Sequence, residues 1–123
     1  MLKYRVEVDD KGTTRWYKWN TNQLHREDGP AVEYTDGSKY WYLNGQLHRE
    51  DGPAVERASG DKEWYLNGEL HREDGPAIEW ADGSKEWYLN DEELTEQELL
   101  ARQDDCNNKV IEIDGKKYRL ELV

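Results

Sequence analysis

The chain has 123 residues, of which 37% are charged, and its formal net charge at pH 7 is −11. This acidity argues against direct binding to nucleic acid or to anionic lipid, because both repel a negative surface. The chain has no Phe, but six Trp and eight Tyr supply large apolar rings, and these predict a thin, aromatic-rich core.

Residues 1–10 lack the apolar segment of a secretory signal, and no apolar run approaches the roughly 20 residues that span a bilayer. Cys106 is the single cysteine, so a disulfide within the chain is excluded. We therefore expect a cytoplasmic protein that has no membrane association and needs no cofactor.

The first predicted elements are two strands over residues 3–8 and 13–19, separated by the turn-forming sequence DDKG. Residues 1–23 thus form an imperfect first unit that caps the N-terminal end. This segment carries five basic and three acidic side chains, whereas the rest of the chain is acidic. An exposed strand edge at residues 3–8 or 116–122 would favour a homodimer through edge pairing.

The central feature is a 23-residue repeat over residues 24–92, in which the string LHREDGPA begins at Leu24, Leu47 and Leu70. Each unit is expected to form a β-hairpin, because Asp-Gly or Ser-Gly separates two β-prone runs and Asn-Gly or Asn-Asp ends the second. A repeat this regular predicts stacked units that contact mainly their neighbours. The predicted fold is all-β, an elongated meander or solenoid of hairpins.

Alternation along the strands assigns side chains to two faces. In the second strands, one face carries Leu and the indoles, to which we assign the core: Trp41, Trp64 and Trp87. The opposite face carries a row of tyrosines: Tyr42, Tyr65 and Tyr88. In the first strands, apolar positions lie next to a row of carboxylates: Glu33, Glu56 and Glu79.

Residues 93–123 are predicted to cap the C-terminal end. Thr95 and Glu98 form a capping-box signature, so a short helix is expected from about residue 96 to residue 103. A final hairpin follows, with strands at 110–113 and 116–122. We expect the helix to cover the open strand edge of the last repeat.

The unit resembles the MORN repeat, whose hairpins of similar length carry an aromatic residue, Asn-Gly, His, Gly and Asp-Gly in that order. Trp41, Asn44-Gly45, His48 and Gly52 occupy these places in one unit, and the resemblance covers about residues 13–92. Arg-Glu-Asp-Gly-Pro replaces the usual shorter Gly-x-Gly, a variant similar to repeats of small bacterial and bacteriophage proteins. The resemblance implies a hairpin solenoid that serves as a scaffold or binding surface.

Three histidines recur with the repeat: His25, His48 and His71. Metal ligands converge within about 2 Å of one ion, whereas a two-stranded unit separates successive histidines by about 10 Å. We therefore predict no metal site and assign these side chains a structural role, hydrogen bonding to backbone groups in the loops. The arginines of the same loops are expected to pair with adjacent carboxylates rather than to bind phosphate.

The candidate binding surface combines the tyrosine row and Trp80 with the carboxylate row, because aromatic residues are enriched at binding hot spots. Every candidate catalytic group occurs in three copies, which is typical of a scaffold, so we predict that the chain is not an enzyme. We expect a protein-binding module whose partner has a basic surface.

Such a module suits a phage-encoded inhibitor that acts in the host cytoplasm. It would block a bacterial defence protein sterically, or by imitating nucleic acid with its acidic surface. The alternative is a structural or assembly scaffold that docks a partner through its Tyr and Trp face. Under that alternative, the acidity serves only solubility.

Overall fold

The computed structural model describes residues 3–107, 109–113 and 116–120, and the side chains of residues 3–102. This part of the chain consists of short antiparallel strands and one helix, α1 (Glu96–Asn107). The strands are β1 (Tyr4–Val8), β2 (Thr14–Lys18), β3 (Val32–Glu33), β4 (Lys39–Tyr40), β5 (Tyr42–Leu43), β6 (Gln46–Leu47), β7 (Val55–Glu56), β8 (Lys62–Glu63), β9 (Tyr65–Leu66), β10 (Glu69–Leu70), β11 (Ile78–Glu79), β12 (Lys85–Leu89), β13 (Glu92–Leu94), β14 (Lys109–Ile113) and β15 (Lys116–Leu120).

Among the described strands, nine form one antiparallel sheet in the order β1-β2-β3-β4-β7-β8-β11-β12-β13. Neighbouring units meet where β4 pairs with β7 and where β8 pairs with β11. Each 23-residue unit of the repeat therefore adds two strands to this sheet. The sheet places the loops that follow β6 and β10 one after another along the molecule.

The run Lys39–Leu43, predicted as one strand, is split at Trp41 into β4 and β5. The Trp41 amide donates to the carbonyl of Ala54 at 2.7 Å, so the backbone here bonds to the following unit. β5 then pairs with β6 as a separate two-stranded ribbon. In the third unit β12 runs unbroken, because Trp87 lies opposite Leu94 of β13 instead.

The core consists of aliphatic side chains and contains neither the indoles nor the leucines of the second strands, which corrects the assignment of the core to that face. Its buried apolar members within the described side chains are Ala31, Val32, Ala54, Val55, Ala77, Ile78, Leu94 and Leu99. The indoles of Trp41, Trp64 and Trp87 are only half-buried. Strands of two residues offer too few inward positions to enclose an indole, and a row of alanines lets neighbouring segments approach closely.

The hairpin turns use positive backbone φ angles. Asn44 and Gly45 have φ angles of 51° and 81°, the geometry expected of an Asn-Gly turn. Asp91 replaces this glycine in the third unit and adopts a φ of 65°, which is unfavourable for a residue with a side chain. Its carboxylate accepts a hydrogen bond from the Leu70 amide at 2.6 Å, which offsets part of that cost.

The helix begins with the predicted capping box. The Thr95 hydroxyl accepts a hydrogen bond from the Glu98 amide, and the Glu98 carboxylate accepts one from the Thr95 amide, both at 3.1 Å. The helix continues to Asn107, beyond the predicted end at residue 103. It contacts β13, β14 and β15. The predicted turn at residues 114–115 and the strand end at 121–122 lie outside the described residues.

Candidate functional site

Each HREDGP loop is organised around its arginine, which stacks on an indole. The guanidinium carbon of Arg49 lies 3.9 Å from the centre of the Trp41 ring. Its Nε donates to Asp51 and its Nη1 to the carbonyl of Pro53, both at 3.1 Å. The same contacts recur around Arg26 and Arg72. Stacking and charge-assisted hydrogen bonds thus define the loop shape.

A glycine makes room for this arginine. A Cβ atom on Gly52 would lie 3.1 Å from Cζ of Arg49, and the equivalent distances at Gly29 and Gly75 are 2.9 Å. Any larger residue would push the guanidinium away from its indole. The close approach explains why the loop has the sequence Arg-Glu-Asp-Gly.

The histidines connect each loop to the turn of the next hairpin. Nδ1 of His25 accepts a hydrogen bond from the Asn44 amide at 2.8 Å, and Nδ1 of His48 accepts one from the Asn67 amide at 2.9 Å. The third histidine makes the same bond to Asn90. Nδ1 is unprotonated in this arrangement, so Nε2 carries the hydrogen. The bonds reach backbone groups, as expected, but those of the next hairpin rather than of the same loop.

The described side chains include no group of three or more His, Cys, Asp or Glu arranged to hold a metal ion. Instead, Nε2 of His48 lies 3.7 Å from the Glu50 carboxylate, and the other two histidines lie at similar distances from Glu27 and Glu73. Each histidine therefore bonds to a turn amide and lies near a loop carboxylate without a direct hydrogen bond to it.

The carboxylate row that the sequence singled out is engaged within the protein. Lysines alternate with it across the sheet, since Lys39 lies opposite both Glu33 and Glu56 and Lys62 lies opposite both Glu56 and Glu79. The loop arginines approach the same three carboxylates at 3.4, 3.7 and 2.9 Å. The nearby arginines therefore offset part of the negative charge that this row presents to a partner.

The tyrosine row is half-buried, and two of its hydroxyls bond to the chain's own carboxylates. Tyr65 donates to Glu63 at 2.9 Å. Burial, and then the bond to Glu63, raises the pKa of Tyr65. Burial, with Glu93 and Glu86 nearby, raises the pKa of Tyr88 to about 12. Both hydroxyls therefore stay protonated, as hydrogen-bond donors, to a higher pH than an ordinary tyrosine hydroxyl.

Trp80 is exposed at the surface, and its Nε1 donates to Glu86 at 2.6 Å. The equivalent positions in the other units hold an edge-to-face pair of Tyr34 and Tyr40 and an ion pair of Arg57 and Glu63. Each unit thus joins its first two strands with different chemistry at the same place. The sequence analysis did not identify these contacts. The available signal was that the residues at both contacting positions change together between otherwise similar units.

Two similar grooves open between successive HREDGP loops, and we term them the loop grooves. The first lies between residues 25–30 and 48–53 and is lined by Trp41, Leu43 and His48 together with two arginines. The second lies one unit further along and is lined by Trp64, Leu66 and His71, again with two arginines. The sequence had placed Trp and Leu on one face, and it is this face that lines the grooves.

The loops bordering the grooves carry strongly exposed carboxylates. The side chains of Glu50 and Glu73 are 85% and 82% exposed, and those of the adjacent Asp51 and Asp74 are similarly open to solvent. These residues were not among the predicted binding carboxylates. The sequence signal that pointed to them was a Glu-Asp pair located in a loop, outside the paired strands.

Neither a family model, nor a curated protein, nor a solved structure matches this chain. In the part of the chain that the structure describes, no helix combines the length and apolar character needed to cross a membrane. Since a fold alone does not define an activity, the loop grooves and their charges are the basis for a functional assignment.

Proposed function

We propose that this chain is a non-enzymatic protein-binding module whose loop grooves take a basic, extended segment of a partner protein. The observation that supports this most strongly is the repetition of one groove, lined by an indole, a leucine and two arginines whose charges are paired with aspartates of the same loops, and bordered by exposed glutamates. Lys and Arg side chains fit such a groove. Their alkyl stems pack on apolar surface while their charged ends reach the carboxylates.

The spacing of the loop grooves suits an extended chain. Each unit adds two strands to the sheet, which separates successive grooves by roughly 10 Å. A segment in the polyproline II conformation advances about 3.1 Å per residue with three residues per turn, so every third side chain returns to the same face and reaches the next groove. We therefore expect the partner segment to carry Lys or Arg at every third position.

Occupation of the loop grooves would block the basic site of the partner sterically. The net charge of −11 would steer that partner inward, so association should slow as salt is added. A bacteriophage inhibitor of a bacterial defence protein is the setting that the resemblance to variant MORN repeats suggests. In that setting the units stack as a hairpin solenoid and hold the grooves in one row.

Peptide binding, measured by calorimetry at low salt, tests this function. A peptide with Lys at every third position should bind more tightly than one of the same composition with its lysines clustered. The paired change Glu50→Gln and Glu73→Gln should weaken binding roughly fivefold, because it removes one exposed charge from each of two loops. The control, Asp10→Asn with Glu96→Gln, removes the same charge from exposed positions outside the grooves and should leave affinity within about twofold.

Absence of binding, or equal affinity for the two peptides, would overturn the proposal. So would equal losses in the groove variant and in its control. A partner lost only when Tyr42, Tyr65 and Tyr88 are all changed to Ala would instead support a scaffold that docks through the tyrosine row.

A further inference from the structure

The strand β1 lies at one end of the nine-stranded sheet and pairs only with β2 among the described strands. Two of its apolar side chains, Val6 and Val8, are 45% and 65% exposed. At the opposite end of the sheet, the helix packs against β13. The two ends therefore differ, since β1 carries exposed apolar side chains beside an open row of backbone groups.

The register of β1 shows which backbone groups point outward. The Asp9 amide donates to the carbonyl of Thr13 at 3.0 Å, toward β2. Because successive residues of a strand alternate in direction, Arg5 and Glu7 also bond toward β2. β2 agrees with this pattern, since its Trp16 amide donates away from β1, to Ala31 at 2.7 Å. The N–H and C=O groups of Tyr4, Val6 and Val8 therefore face outward.

This outward edge is complementary to itself. If a second copy of β1 lies antiparallel with Val6 opposite Val6, then Tyr4 lies opposite Val8 of the second copy. Each of these pairs can exchange two backbone hydrogen bonds. The residues between them place Arg5 opposite Glu7 of the second copy, and the symmetry produces this charge pair twice.

Two other registers that also place outward-facing residues opposite each other at the centre are disfavoured by charge. Pairing centred on Val8 would place Glu7 opposite Asp9 of the second copy, and pairing centred on Tyr4 would place Arg5 opposite Lys3 of the second copy. Like charges directly opposite one another destabilise a strand pair. Arg5 already pairs with Glu7 within one chain, so the centred register joins two such pairs into one alternating cluster of four charges.

We propose that two copies of this protein associate by antiparallel pairing of β1 with β1, centred on Val6, and so extend the sheet across a two-fold axis. The surface differs from the loop grooves, which need no second copy. Success or failure of the peptide experiment therefore leaves this proposal untouched.

Sedimentation equilibrium over a range of protein concentrations tests the dimer. The wild-type protein should associate reversibly, and R5E or E7R alone should each weaken self-association roughly tenfold, because each places like charges opposite one another twice. An equal mixture of R5E and E7R should associate again, since the charges are then complementary between copies. Circular dichroism of each variant confirms that the fold is kept.

A variant at the centre of the strand provides a second measurement. V6P removes an N–H that points away from β2, so it should weaken the dimer while preserving the pairing of β1 with β2. A wild-type protein that is monomeric throughout would overturn the proposal. Dimers that persist in R5E, or that fail to reform in the mixture, would show a different interface and overturn it equally.

Discussion

At the scale of single residues, the loop arginine organises the most interactions. Arg49 stacks on Trp41, donates to Asp51 and to the carbonyl of Pro53, and lies 3.7 Å from Glu56. A planar guanidinium can make all of these contacts at once, whereas an ammonium group cannot. The planar shape of the guanidinium therefore matters more at this position than its positive charge.

Arg49→Lys should lower the free energy of unfolding by about 1–2 kcal/mol, because it keeps the charge but loses the stacking and the directed hydrogen bonds. Urea denaturation followed by circular dichroism measures the change. The control is Arg102→Lys, at a half-exposed residue that bonds Glu92 at 3.3 Å, and it should stay within about 0.5 kcal/mol of wild type. Equal effects at both positions would contradict the importance of shape.

At the scale of elements, the strands are too short to be stable alone. Most strands of the three units have two residues, so a hairpin gains its stability from the units on either side. The division into two strands at Trp41 reflects this dependence on neighbouring units, because the Trp41 amide bonds to Ala54 of the next unit. The helix differs, since its first turn is closed by local hydrogen bonds of Thr95 and Glu98.

Thr95→Ala should destabilise the first turn of the helix by about 1 kcal/mol, because the Glu98 amide loses its acceptor. Amide hydrogen exchange at Glu98 should speed up roughly fivefold, while exchange at the Val55 amide, in the core sheet, stays unchanged. Thr95→Ser keeps a hydroxyl and should retain slow exchange. If serine and alanine behave alike, the hydroxyl is not the stabilising group.

At the scale of the whole molecule, the same contacts link each unit to the next. The Trp41 amide donates to the carbonyl of Ala54, and the Trp64 amide donates to that of Ala77, both at 2.7 Å. The buried alanine and Val or Ile positions recur along the sheet with the same spacing. If stability is a sum of such neighbour contacts, removal of one whole unit should leave the others intact.

Deletion of residues 47–69 should therefore give a folded chain. Arg72 would then meet Trp41, a partner chemically equal to the Trp64 that it loses. We expect cooperative thermal unfolding with a Tm lower by roughly 5–10 °C, because fewer contacts between units remain. Deletion of residues 47–58 is the control, since it removes only part of a unit and should prevent folding. Circular dichroism distinguishes these outcomes, and loss of structure in both chains would refute the additive description.

Much of the local structure could be predicted from the sequence by itself. The turn at Asn44-Gly45 and the capping box at Thr95 depend on conformational preferences of a few adjacent residues. The placement of Trp41 with Leu43, in the wall of a loop groove, follows from simple alternation along the strand. Such features need no knowledge of distant parts of the chain, which is why sequence reasoning finds them.

The tertiary structure alone decided which charges are free. Glu56 and Glu50 look alike in the sequence, yet Glu56 lies opposite Lys39 and Lys62 in the sheet and 3.7 Å from Arg49, while Glu50 lies exposed in a loop. Those neighbours come from other strands and from the preceding loop, so they depend on strand register. Register, in turn, depends on packing of the whole sheet, and for that reason the exposed carboxylates could not be told from the paired ones by residue type alone.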